Sequence, residues 1–173
     1  LWLAGMLSPW ALLPWLTIRG NIALALQGKM DSHSINQQIT ESLTATGMMD
    51  YANHYPAQLS GGLRQRAAMA RALAYPAPAL LMDEPFKSLD MKAQFQLRND
   101  FLAYWLRRPR TVALVTHDVK DAILLGDKII ILSDKPIRVV AELTIDRPQA
   151  ERAAADEESI RLEKELIRMI LNG

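Results

Sequence analysis

Two short apolar runs, each closed by a polar side chain, constrain this chain most: Ala79-Leu80-Leu81-Met82-Asp83 and residues 111–117, Thr-Val-Ala-Leu-Val-Thr-His. Between them, residues 91–108 have the length and composition of a helix. Apolar runs of this kind read as strands buried on both faces, and the order strand, helix, strand needs a crossover connection. The expected fold class is therefore α/β, with a mostly parallel sheet flanked by helices. Ligands of such sheets gather beyond the carboxyl ends of the strands. Asp83, Glu84 and His117 become candidate site residues by that placement alone.

The rest of the chain reads as helix before these runs and as strand, then helix, after them. Thr17 is placed to cap a helix carrying Ile18, Ile22, Ala25 and Leu26, and Ser34 to cap one carrying Ile35, Ile39 and Leu43 before Gly47. Residues 60–75 keep helical spacing through Leu63, Ala67, Ala70 and Ala74 until Pro76 and Pro78 stop it. Residues 128–133 and 137–143 read as two strands around the turn Asp134-Lys135-Pro136. The tail, residues 149–172, presents Leu162, Leu166, Ile167, Ile170 and Leu171 on one face of a helix. One domain over residues 1–173 is expected: a helical part at about 17–75, a core at 76–146 and a terminal helix at 147–173, with Arg147-Pro148 as the junction.

Composition narrows the function. With 50% hydrophobic and 23% charged residues, the 173-residue chain has the makings of a packed core and is not a disordered segment. A net charge of +1 gives no general attraction for a polyanion, so nucleic acid is not an expected partner. The chain holds no cysteine, which removes disulfides and thiolate metal sites. Residues 1–16 are apolar but carry Pro9 and Pro14 and lack the basic start of a secretory signal. This stretch, with Trp2, Trp10 and Trp15 in or near it, is expected to be buried or to dock on an apolar partner, and the absence of an initiating Met suggests a fragment.

Leu59-Ser60-Gly61-Gly62 stands directly before the helix of residues 60–75. A helix amino terminus carries unpaired N–H groups and about half a positive charge, so it receives anions, and glycines let backbone approach a phosphate closely. Ser60 adds a hydroxyl. It can equally be an ordinary N-cap with the glycines as a turn. Asp83 can hold Mg²⁺ through water and Glu84 can orient an attacking water beside a phosphate, although adjacent carboxylates at a strand end also occur as solvated turns. His117 can hydrogen-bond a terminal phosphate or be a structural residue, and Asp90 can serve a second subunit or cap the helix beginning at Met91.

In their order along the chain, these elements resemble the nucleotide-binding subunit of an ABC transporter. The likeness rests on residues 58–90, QLSGGLRQRAAMARALAYPAPALLMDEPFKSLD, and 113–133, ALVTHDVKDAILLGDKIIILS. It implies a partial P-loop NTPase fold with a helical subdomain. It further implies that Gln58, Ser60, Gly61 and Gly62 contact ATP held by an opposing subunit, that Asp83 is the magnesium-site carboxylate and Glu84 the catalytic carboxylate, that His117 is the switch histidine, and that Asp90 lies in the D-loop. Residues 12–26, LLPWLTIRGNIALAL, are similar to the segment after the Q-loop in importers of the nitrate, sulfonate and taurine group.

That resemblance brings expectations about partners and place: ATP and Mg²⁺, transmembrane permease subunits, a second ATPase subunit in a homo- or heterodimer, indirectly a solute-binding protein outside the membrane, and a peripheral position on its cytoplasmic face. The chain also departs from the pattern. The string GxxxxGK[ST] does not occur; Gly28-Lys29 is followed by Met30, with Ala23 at the first glycine's position. Alignment on LLPW sets Ser8 where the Q-loop glutamine stands. The expectation is a shortened ATPase subunit, inactive in isolation, of a small-anion importer; the alternative is a degenerate, non-hydrolysing or regulatory partner.

Overall fold

The computed structural model describes residues 3–6, 12–87 and 89–172, and the chain divides into two compact units, Leu1–Val115 and Thr116–Gly173. The expectations for Ser8, Trp2 and Trp10, and the Ser88 that precedes Leu89-Asp90, lie outside the described residues.

In the first unit a short strand, β1 (Leu3–Met6), precedes two helices, α1 (Ile18–Leu26) and α2 (Ser32–Ala45). Thr17 caps α1 as expected, its hydroxyl accepting from Gly20 N–H at 3.1 Å. The cap of α2 is Asp31 and not Ser34. The Asp31 carboxylate accepts from the N–H groups of His33 at 2.9 Å and Ser34 at 3.1 Å, while the Ser34 hydroxyl donates to it at 2.6 Å. A carboxylate three residues earlier satisfies two orphan donors and complements the helix dipole, so it sets the start. Both helices are followed by a glycine in the left-handed region, Gly28 at φ +72° and Gly47 at φ +64°.

The third helix, α3 (Gly61–Ala74), packs on α1 and α2. Ala67, Ala70 and Ala74 lie in one core with Ile18, Ile22, Leu26, Ile39 and Leu43. Small side chains on α3 let the branched residues of its neighbours fill the space between helices, each fully buried Ile or Leu contributing about 1.5–3 kcal/mol. Beyond α3 run β2 (Ala79–Asp83), α4 (Met91–Arg107) and β3 (Thr111–Val115). The three strands form a parallel sheet in the order β1-β2-β3, with Leu81 opposite Ala113 and Asp83 opposite Val115. Leu80 and Met82 are buried on one face; on the other, Leu81 and Val115 remain 39% and 54% exposed. The parallel pairing of the two apolar runs follows the expectation, but their burial on both faces does not: only the face of Leu80 and Met82 is packed, and alternate residues of both strands stay exposed. β3 ends at Val115, two residues before His117.

The second unit holds α5 (Val119–Leu125), the antiparallel pair β4 (Lys128–Leu132) and β5 (Val139–Thr144), and α6 (Glu157–Asn172). Asp118 caps α5, accepting from Lys120 N–H at 2.8 Å. Ile123, Ile131, Ile145 and Leu166 form its core. The tail helix begins later than its composition suggests, since residues 149–151 form a separate 3₁₀ turn and Asp156 accepts from Ser159 N–H at 2.7 Å.

Candidate functional site

Ser60 opens α3. Its backbone is extended, at φ −63° and ψ 165°, and its hydroxyl oxygen accepts from Leu63 N–H at 3.3 Å. The structural reading of Ser60 as an N-cap is therefore correct, and the cap leaves the hydroxyl hydrogen on an exposed side chain. Gly61 follows in exposed backbone, and a Cβ built there meets nothing within 4 Å. Internal packing does not demand glycine at that position; the residue keeps the helix start bare on its outer side. Upstream, residues 56–58 form a 3₁₀ turn in which Gln58 Oε1 accepts from Tyr55 N–H at 2.7 Å. Arg64 donates to Leu59 O at 2.8 Å, fixing the entry to the helix.

Beside this helix start lies a groove of 560 Å³. Ser60, Gly62, Leu63 and Arg66 line one side, Leu89, Asp90 and Ala93 the other, with Gly47 and Tyr51 completing it. Thus two stretches singled out separately in the sequence, Ser60-Gly61-Gly62 and Asp90, meet at one concave surface. Asp90 is the N-cap of α4, its carboxylate accepting from Ala93 N–H at 2.9 Å. Arg66, which sequence reasoning passed over, spans the groove wall: it donates to Thr46 O at 3.2 Å and to Ala93 O at 3.0 Å.

Asp83 and Glu84 stand at the carboxyl end of β2 and are not among the residues lining the groove. Asp83 is exposed. Glu84 has φ +48°, the only non-glycine residue with positive φ among those described, and it precedes Pro85. Side chains rarely adopt this conformation, and it persists only where surroundings impose it. Here Glu84 N–H donates to Val115 O at 2.9 Å and Glu84 C=O accepts from Gln65 Nε2 at 3.1 Å. Phe86, fully buried, anchors the next turn against Phe101 in edge-to-face contact at 6.5 Å, with the Arg98 guanidinium over its ring at 5.9 Å. Gln65 was also missed. The signal was present: it is a polar residue four and eight positions before Met69 and Leu73 on a buried helix face, and a buried amide there requires a partner.

His117 belongs to the second unit, exposed, just before the Asp118 cap of α5. Among the described residues no group of three or more His, Asp or Glu side chains is gathered as a metal cluster, and no helix is long and apolar enough to cross a membrane.

Residues 6–87 match the family described as ABC transporter. The aliphatic sulfonates import ATP-binding protein SsuB of Pectobacterium atrosepticum is 39% identical over 141 residues, covering 82% of this chain and 50% of that protein. The nitrate import ATP-binding protein NrtD of Synechocystis is 36% identical over 141 residues, 80% of this chain and 53% of that protein. The bacterial ABC transporter cassette MJ0796, solved as a dimer, superposes with a TM-score of 0.71 at 34% identity, over 82% of this chain and 62% of that one. The same cassette bound to ADP and Pi gives a TM-score of 0.71 at 33% identity. The chain spans about half the length of the curated relatives it matches.

Proposed function

Because the chain is a partial ABC ATPase, we propose that it belongs to the ATP-hydrolysing subunit of an importer for a small anion such as nitrate, sulfonate or taurine. The observation that carries this reading is the bare start of α3 at Gly61, beside a groove shared by Ser60, Gly62 and Asp90. An opposing subunit's ATP would present its terminal phosphate there, to the hydroxyl of Ser60 and the N–H groups of the first helical turn. Gln58 borders the same stretch, its Oε1 accepting from Tyr55 N–H and its Nε2 left as the donor group of the amide.

Within the first unit, Glu84 acts as the carboxylate that orients water; His117, in the second unit, is proposed by itself as a donor to a terminal phosphate. Asp83 fits Mg²⁺: such an ion keeps several waters and takes one or two carboxylates plus phosphate oxygens, so one exposed strand-end carboxylate suffices without a three-residue cluster. The ion neutralises charge on the phosphates when bound. The names of the similar proteins, import ATP-binding proteins for nitrate and aliphatic sulfonates, support the substrate class, and the dimeric cassette supports a second ATPase subunit as partner. Permease subunits would hold the assembly on the cytoplasmic face of the membrane, with a solute-binding protein engaged indirectly.

Gly61→Glu tests the reading. The site has open space and ordinary backbone angles, and an acidic residue in a first helical turn favours the helix. Folding should therefore survive while a carboxylate occupies the approach of a phosphate. In the assembled complex the ATP hydrolysis rate should fall by about 10²-fold, the scale seen when one preorganised donor to a developing anion is removed, with an unchanged melting temperature. An unchanged rate overturns the proposal.

A further inference from the structure

We propose that Gln65 is a positioning residue that holds the Glu84 peptide in its left-handed conformation and so sets where the Glu84 carboxylate stands. This rests on the assignment of Glu84 as the water-orienting carboxylate. Gln65 is 3% exposed, and its Nε2 donates across the helix–sheet boundary to Glu84 C=O at 3.1 Å. On the other side of the same residue, Glu84 N–H donates to the last residue of β3 at 2.9 Å. The peptide groups flanking the Glu84 Cα are thus each tied down, one to the sheet and one to α3, at φ +48°.

The geometry gives these two bonds a specific consequence. A residue before proline is pushed toward extended angles, and the left-handed region is unfavourable for a side chain larger than glycine. Released from either bond, the Glu84 backbone relaxes toward the extended region, and the Cα–Cβ bond swings with it. Gln65 lies five residues after Ser60 on one rigid helix. The segment that meets the opposing subunit's phosphate and the carboxylate that serves the chain's own nucleotide are therefore joined by α3 and one hydrogen bond. A displacement of α3 on nucleotide contact would reach Glu84 through Gln65, without passing through the sheet.

Gln65→Met keeps the volume and removes the donor. In the assembled complex it should lower kcat for ATP at least about tenfold, since displacement of a reacting group by about 1 Å costs up to about 10²-fold, while KM for ATP and the melting temperature stay near those of the unsubstituted protein. Glu84→Gln is measured beside it. If Glu84→Gln abolishes turnover and Gln65→Met leaves kcat unchanged, the positioning role is overturned and the reading of Glu84 stands. If Glu84→Gln leaves turnover unchanged, the reading of Glu84 fails and takes this inference with it. If kcat, KM and melting temperature shift together in Gln65→Met, Gln65 is a packing residue only and the inference is wrong. A readout independent of turnover uses the unsubstituted 173-residue chain: the Gln65 side-chain amide protons should exchange slowly with solvent by NMR, and fast exchange overturns the bond on which the role depends.

Discussion

A single amide fixes the segment that leads into α1. Asn21 is 2% exposed, and its Oδ1 accepts from Leu13 N–H at 2.7 Å while its Nδ2 donates to the carbonyls of Leu13, Leu16 and Thr17 at 3.0–3.1 Å. The loop around Pro14 has no strand or helix to pair its backbone, so one side chain supplies what secondary structure would. Asn21→Ala strands those groups away from water. Each buried polar group left unpaired costs about 1–3 kcal/mol, less whatever water recovers, and the expected loss is about 3 kcal/mol. Urea titration of the chain checks it; a midpoint shift no larger than that of an exposed substitution such as Gln37→Ala would show the network to be incidental. None of this was legible in the sequence. Thr17 as a cap is visible because caps act on the next turn, and Asp83 at a strand end is visible because the apolar run stops there. The burial of Gln65 was legible in its helix spacing, but its partner was not: Asn21, Gln65 and Arg66 bond to backbone eight, nineteen and twenty or more residues away, and no local pattern records a partner at that distance.

Elements were legible to the degree that they bury a periodic face. α1, α3, β2 and α4 begin where caps and apolar spacing put them, and the parallel pairing of β2 with β3 follows from uninterrupted apolar runs. β1 was not seen, because four residues between masking apolar neighbours carry no period. The start of α6 was misplaced because the charged run before it has helical composition, whereas Arg152 bends the chain back instead. Its guanidinium donates to Ile123 O at 2.9 Å, Gly126 O at 2.6 Å and Ile145 O at 3.2 Å, and also to Arg147 O. The side chain is 2% exposed; the C-cap Gly126 N–H takes only Ala122 O, and this cation satisfies the Ile123 and Gly126 carbonyls and ties the end of α5 to the strand exit at Ile145. Arg152→Met preserves the apolar stem and removes every donor. The second unit should lose about 3 kcal/mol, as expected when one partner of a buried charged network is deleted, and Arg152→Lys should recover little because an ammonium presents its donors from one nitrogen, whereas these carbonyls are reached from three. Far-UV circular dichroism during urea unfolding reports the loss. Equal midpoints for Arg152→Lys and the unsubstituted chain would mean that charge alone, not the guanidinium fork, holds the unit.

For the molecule as a whole, the division after Val115 leaves no mark in composition, since Thr116-His117-Asp118 is not a Gly-, Pro- or Ser-rich linker. What the two units share is a carboxylate cap that acid removes. In the first, the Ser34 hydroxyl and the N–H groups of Ser34 and His33 lower the Asp31 pKa. In the second, the N–H groups of Ser159 and Ala153, the latter at 2.9 Å, hold the Asp156 carboxyl well below the usual carboxylate range, and Arg147 at 2.8 Å adds to them. The unfolded chain binds a proton at these residues near pH 3.9, whereas the folded chain resists protonation until lower pH. Stability from each cap is then complete above the unfolded pKa and is lost as pH falls toward the folded one. Asp156→Asn keeps an oxygen acceptor for Ser159 but has no charge to titrate. The urea midpoint of the unsubstituted chain should therefore lie above that of Asp156→Asn at about pH 6, fall more steeply between about pH 5 and pH 3, and approach it at the acid end. Parallel curves across that range would show that the ionised Asp156 contributes nothing to folding, and that the hydrogen bonds it accepts are matched in the unfolded chain.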